Sequence, residues 1–257
     1  MNAGEALREA PFGVFDVETT GTDVETDRIV SAFFGIVSAD GTLQEAQHWL
    51  LWPGIPIPPE ATAVHGLTDE YVRDHGEHDT ARGISSIADH LAARADLPLV
   101  IMNAPFDLTI LDREIRRHEV GNVGDIGGPG GLWWEPRPVI DPMVLDKAVD
   151  EYRKGRRTLT ALAEHYRIPL LDAHTAEADA IAAGSVARAV LADVLAKAGD
   201  DAGTVTLDDV HRWQIKWKAK QQSSLRGYFE SRGNFDAAAG VSEAWPIQPY
   251  DDGEIGS

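Results

Sequence analysis

Phe12-Gly-Val-Phe-Asp16-Val-Glu18-Thr-Thr-Gly21 begins as an apolar run, ends on two carboxylates two residues apart, and then turns at once. In a β-strand, alternate side chains point to the same face. Asp16 and Glu18 would then aim at one spot, where two like charges repel unless something neutralises them. A hard divalent cation such as Mg²⁺ or Mn²⁺ does this, because it prefers carboxylate oxygen. A solvated pair of acids at a strand end is the alternative that these ten residues leave open.

Outward from this stretch, Arg28 to Ser38 reads as a strongly apolar strand. Asp40-Gly41 is a hairpin signal, and Thr42 to Leu51 reads as the returning strand. Three sequential strands predict an antiparallel meander. Pro53, Pro56, Pro58 and Pro59 predict an extended loop, Thr68-Asp-Glu70 a helix start, and Thr80 to Ala95 an amphipathic helix. Leu99 to Met102 reads as a short buried strand that runs into Asn103-Ala-Pro-Phe-Asp107 and a helix. Val139-Ile140 repeats the pattern, with Asp141-Pro142 opening the next helix. Between them, Gly121 to Gly131 holds six glycines in eleven residues and predicts a mobile loop. Helices at Thr158 to His165 and about Ala176 to Leu195 complete an α/β layered domain with a mixed sheet. Gly199 to Gly203 reads as a linker. Thr206-Leu-Asp-Asp209 resembles a capping box that starts a helix running to about Gly233. The acidic, Pro/Gly-containing stretch from Ala244 on, 244–257, is expected to be disordered.

The chain has 257 residues, enough for one large domain with an appendage. It has no cysteine, which removes disulfides, thiolate zinc sites and cysteine nucleophiles. The first ten residues lack the apolar core of a secretory signal, and no run approaches the roughly 18–20 apolar residues of a membrane span. A soluble cytoplasmic protein is the expectation. With 23 basic and 42 acidic residues the formal charge is −19. That argues against a general polyanion binder but not against a nuclease, whose metals reverse the local field.

Further acids stand where loops meet secondary structure. Asp107 follows a buried strand at a helix start, where a first-turn acid is also favoured by the helix dipole alone. His174 and Asp179 are five residues apart, about 140° on one helix. They converge only if His174 precedes the helix and Asp179 projects from its first turns.

Asp16-x-Glu18, Asn103-x-x-Phe106-Asp107 and His174-x4-Asp179, in this order, resemble the DEDDh 3′–5′ exonuclease superfamily. The likeness is to the proofreading epsilon subunit of bacterial DNA polymerase III and its free-standing relatives. Pro58 to Thr68, containing His65-Gly-Leu-Thr68, and Thr158 to Pro169 are similar to the segments that link these motifs. Met102 departs from the pattern, standing where many relatives carry histidine. The resemblance covers roughly residues 11–195 and implies a DEDDh exonuclease domain over 11–197, with a helical extension over 204–234. It implies a ribonuclease H-like α/β fold with a mixed five-stranded sheet, the meander plus two parallel strands, flanked by helices. By the same resemblance Asp16, Glu18, Asp107 and Asp179 bind two divalent ions, Mg²⁺ or Mn²⁺, and His174 is the general base. Thr20, Gly21, His65 and Phe106 would contact the terminal nucleotide.

The expected substrate is the 3′ end of DNA, single-stranded or frayed. RNA trimming and a non-catalytic docking role for a polymerase or sliding clamp are the alternatives. Lys154-Gly-Arg-Arg157 could neutralise phosphates or form a solvated loop. In the C-terminal helix Arg212, Lys216, Lys218, Lys220 and Arg226 accompany Trp213 and Trp217, which share a face. The reading favoured here is that the tryptophans dock the helix while the lysines stay in water; gripping a single strand is the rival. Gln222-Ser-Ser-Leu225-Arg-Gly-Tyr228-Phe229 has the pattern of a clamp-binding peptide, read as coincidence in a segment expected to be helical.

Overall fold

The computed structural model describes residues 2–121, 131–170 and 175–250. Strand β1 (Phe12–Thr19) pairs antiparallel with β2 (Ile29–Val37), and β2 with β3 (Leu43–Leu50). On its other side β1 pairs parallel with β4 (Leu99–Val100), and β4 with β5 (Val139–Ile140). The order is β3-β2-β1-β4-β5, the mixed five-stranded sheet expected from the sequence.

Alternation along β1 divides the core between the two faces of the sheet. Phe12 and Val14 join a cluster with helix α8 (Ala176–Ala198), and Phe15 and Val17 join one with α4 (Thr80–Ala92) and α5 (Ala104–Arg117). Helix α8 packs through Ala180, Ala183, Val186, Ala187 and Val190, a helical spacing of small residues that permits close approach. The closest point is Gly184, where an added Cβ would stand 2.8 Å from Val14 Cγ1. Helices α6 (Pro142–Val149) and α7 (Leu159–Tyr166) complete that layer.

Both edges of the sheet are protected. β3 exposes Gln44, Gln47 and His48, which discourages pairing with another chain. The β5 edge is covered by helix α9 (Leu207–Ser231), which starts at the predicted capping box on Thr206. Gln214 of α9 is fully buried and replaces a neighbouring strand. Its Oε1 accepts from Asp141 N–H at 2.7 Å, and its Nε2 donates to Val139 carbonyl at 2.9 Å. His211 Nδ1 accepts from Val139 N–H at 3.1 Å.

Four local expectations need correction. The N-terminal residues contain α1 (Ala3–Glu9), in which Ala3 and Ala6 are fully buried, so the packed unit begins before residue 11. The proline loop ends in α2 (Pro59–His65), because Pro59 sits in the first turn where its missing N–H costs nothing. Helix α3 (Asp69–His75) starts where Thr68-Asp-Glu70 was expected to begin a helix, whereas 199–203 forms a 3₁₀ turn rather than a plain linker. The tail expected to be disordered from Ala244 is packed as far as Tyr250. After α10 (Phe235–Ala239), Trp245 is buried, Gln248 N–H donates to Thr109 Oγ1 at 3.0 Å, and Arg113 donates to Pro249 carbonyl at 2.8 Å. One buried tryptophan and a pair of arginines beneath the Tyr250 ring override the acidic, proline-containing composition. Residues 251–257, and 122–130 of the glycine-rich loop, lie outside the described residues. Among the described residues no helix is long and apolar enough to cross a membrane.

Candidate active site

Asp16 and Glu18 continue the face of β1 that carries Phe12 and Val14, so they point to the α8 side. Gly184 touches Val14, and Asp179 lies five residues earlier in α8, about 7.5 Å along the helix. Asp16 and Glu18 lie about 7–13 Å beyond Val14 along the strand. An α8 running opposite to β1 therefore carries Asp179 to the two acids. Asp179 falls in the first turn of α8, after the Thr175 cap, as the five-residue spacing required. His174 precedes that cap and lies outside the described residues.

Asp107 arrives from the third element. It stands in the first turn of α5, but it does not cap the helix; Asn103 occupies the cap position, with φ of 60°. Because β4 is two residues long, the β1 edge beyond Val14 has no strand partner on that side. Asp107 Oδ1 fills the gap, accepting from Val17 N–H at 3.1 Å. The register shift between Glu18 and Thr19 ends the regular ladder just past the acids.

The electrostatics follow from this crowding. Burial pushes the Asp16 carboxyl well above the usual range, reinforced by the charges of Asp107, Glu18 and Asp179. Burial and then Asp179 raise Glu18 to about 7. Burial raises Asp107 as well, against the pull of the Val17 N–H. Asp16 and Glu18 receive no hydrogen bond and no cationic partner among the described residues. Acids sunk this far and left uncompensated add nothing to stability and make this cluster the candidate functional site. The donor set, all carboxylate oxygen, fits a hard divalent ion. Among the described residues no three acids or histidines already stand as a closed metal cage, so a bound cation would have to draw the cluster together.

The predicted nucleotide contacts fare unequally. Thr20 is buried, and its hydroxyl is occupied, donating to Asp27 Oδ1 at 2.8 Å and accepting from Arg28 N–H at 3.0 Å. At Gly21 an added Cβ would lie 2.4 Å from Asp27 Oδ2, so the glycine is explained by packing of its own loop. His65 Nδ1 accepts from Leu67 N–H at 3.0 Å, which leaves the proton on Nε2. That nitrogen is buried and has no hydrogen-bond partner among the described residues. Burial lowers the His65 pKa, opposed by the nearby Thr19 carbonyl. Phe106 packs partly on the core and also lines a cleft of about 330 Å³ beside the acids' end of α5.

Sequence reasoning missed the importance of Asp141. This fully buried acid caps α6 through Met143 and Val144 N–H, receives Asn103 and Ala104 N–H at 3.1 Å, and accepts from Trp245 Nε1 at 3.4 Å. It therefore fixes the start of the helix that carries Phe106 and Asp107. The available signal was an Asp-Pro pair directly after a two-residue apolar strand. Arg157, offered as a phosphate ligand, is bound instead to the buried Asp146, alongside Arg153. In α9 the tryptophans pack on the core as favoured, and Gln222 donates to Ser242 carbonyl within the helix, so Gln222 to Phe229 is no free peptide.

The model of the exonuclease family RNase_T matches residues 14–187. The chain belongs to the exonuclease family. It is 34% identical over 189 residues to a DNA polymerase III subunit epsilon-like protein of Rhodobacter capsulatus, covering 69% of this chain and 24% of that one. It is 28% identical over 181 residues to a PolC-type DNA polymerase III of Lacticaseibacillus paracasei, covering 69% and 11%. The chain thus spans a quarter or less of the length of these two relatives. Exonuclease I shares the fold, with a TM-score of 0.56 at 20% identity over 73% of this chain and 43% of that one. A second structure, Escherichia coli exonuclease I in complex with a dT13 oligonucleotide, superposes with a TM-score of 0.54 at 19% identity over 72% and 43%. The ribonuclease H-like architecture implied by the motif order is the architecture of these structures.

Proposed function

We propose that this chain is a metal-dependent 3′–5′ exonuclease that removes nucleoside monophosphates from single-stranded or frayed DNA ends. The observation that carries the proposal is the gathering of four acids from β1, α5 and α8, two of which lack any compensating donor. Two Mg²⁺ or Mn²⁺ ions held by Asp16, Glu18, Asp107 and Asp179 would supply an activated water and offset charge on the phosphoryl oxygens. Val17 N–H holds one Asp107 oxygen, which leaves the other for a metal ion. His174, placed by sequence just ahead of the Thr175 cap, takes the proton from the attacking water, work suited to an imidazole pKa of about 6.5. Phe106 packs against the terminal nucleotide, and the proton on His65 Nε2 is available to it. The names of the relatives make a DNA polymerase the partner class of this reading.

The test is single-turnover cleavage of matched 5′-labelled DNA and RNA strands with Mn²⁺. Stepwise shortening from the 3′ end, faster on DNA, is expected. Asp16→Ala should abolish it with the fold retained, and His174→Ala should lower turnover more than affinity. Full activity in Asp16→Ala rejects the assignment, and preference for the RNA strand makes the enzyme an RNA trimmer.

A further inference from the structure

The cleft that Phe106 enters is not walled by exonuclease-family residues alone. Its far side is Lys218 and Gln222 of α9 with Ser242 and Ala244 of the C-terminal strap, all beyond the matched residues 14–187. At about 330 Å³ it is the size of a small-ligand site, roughly 300 Å³ or more. Lys218 is half-buried and has no ion pair or hydrogen bond among the described residues, whereas Arg212, Lys220 and Arg226 of the same helix are each paired with a carboxylate. The Asn103 side chain, on the near wall, makes no cap bond and likewise has no partner there.

The surrounding acids do not account for Lys218. Asp141 is within its electrostatic reach but beyond ion-pair distance, and already receives four backbone N–H groups and the Trp245 indole. Asp23 lines the same cleft, yet its carboxylate is engaged by Glu25 N–H at 3.0 Å within its own loop. What remains is an available ammonium and an available amide, two groups that attract an anion.

We propose that Lys218 and the Asn103 amide bind a backbone phosphate of the strand being degraded, making the C-terminal helix part of the substrate surface. The inference rests on the exonuclease reading. In that reading the scissile phosphate belongs to the acids, and a 3′ terminus has no chain beyond it. Lys218 and Asn103 line a cleft to which none of the four acids contributes, so a phosphate held there lies upstream. A cation supplied locally also answers how a chain of net charge −19 holds a polyanion.

The experiment uses the full chain with fluorescein-labelled dT15 and the p-nitrophenyl ester of thymidine 5′-monophosphate, which has no upstream phosphate. Binding of dT15 is measured by anisotropy in an Asp16→Asn background, and cleavage of both substrates in the active protein. Lys218→Ala should weaken dT15 binding about ten-fold and flatten the salt dependence of log Kd by about 0.7. Its loss on dT15 cleavage should exceed its loss on the ester by a similar factor. Lys218→Arg should restore most of the binding, and Lys216→Ala, on the exposed face of α9, should change neither substrate. Unchanged dT15 affinity in Lys218→Ala overturns the inference while leaving the exonuclease standing. So does an equal loss on both substrates, because Lys218 would then act through Asp141 on the acids. Binding that depends on Lys218 in a wild-type protein unable to cleave would sink the exonuclease reading and leave Lys218 as a strand contact without degradation; wild type that fails to bind dT15 sinks the inference.

Discussion

Replacing Glu18 with glutamine should stabilise the metal-free protein, the reverse of the usual result at a buried polar position. Folding raises the Glu18 pKa from 4.5 to about 7 by burial and by the charge of Asp179. Between these values the native chain retains a proton that the unfolded chain has released. Stability therefore falls as pH climbs through this window, and the full penalty stands above pH 7. The interval corresponds to about 3 kcal/mol at most. Glu18 keeps contact with solvent, so screening reduces the expected gain in Glu18→Gln to about 1–2 kcal/mol at pH 8. For a chain of this size that is a rise in Tm of about 2–8 °C. Thermal melts in EDTA at pH 5 and pH 8 measure it directly: the variant should exceed wild type at pH 8, and the gap should close toward pH 5. Adding Mn²⁺ at pH 8 should raise the wild-type Tm more than the variant's, since the ion removes the same repulsion. A Glu18→Gln protein that melts below wild type in EDTA at pH 8, with a gap indifferent to pH, would refute the account of repelling acids.

Two further predictions concern what holds the site in place. Gln214→Leu leaves Asp141 N–H and Val139 carbonyl buried without partners, at about 1–3 kcal/mol each. Denaturant unfolding should show a loss of about 2–5 kcal/mol, and a loss below 1 kcal/mol would mean that α9 does not complete the sheet edge. Trp245→Ala should cost about 3–5 kcal/mol and expose the chain near residue 245 to limited proteolysis. Unchanged protease resistance would show that the C-terminal strap is held by Arg113 and Tyr250 without the indole.

The strands and the acidic pair were legible because both signals are local. Continuous apolar runs at Arg28 to Ser38 and Leu99 to Met102 need no tertiary context, and the two-residue spacing of Asp16 and Glu18 decides their common face. Asp179 was legible as well, since a helix had to begin between it and His174. What the sequence hid depends on long-range partners. Helix α1 is short, and long-range partners hold it: two alanines buried against the core, Arg188 donating to the Leu7 and Ala10 carbonyls, and Ala3 N–H donating to the Val205 carbonyl. Trp245 is a single apolar residue within a composition typical of disorder, and its partners, Asp141 and His211, lie 104 and 34 positions away. Helix α9 read as basic and amphipathic, but its pairing with β5 through Gln214 and His211 carries no periodic signature. Asp141 shows the same limit. An Asp-Pro pair announces a helix start, but nothing local announces that the acid also anchors α5 and, through it, Asp107.

The most direct measurement is anomalous diffraction from crystals grown with Mn²⁺ and thymidine 5′-monophosphate. Two manganese peaks about 3.5–4 Å apart are predicted, with Asp16 between them, Glu18, Asp107 and Asp179 around them, and the His174 imidazole beside the phosphate. A map without manganese at these carboxylates, or with the four acids directed away from one another, would contradict the account.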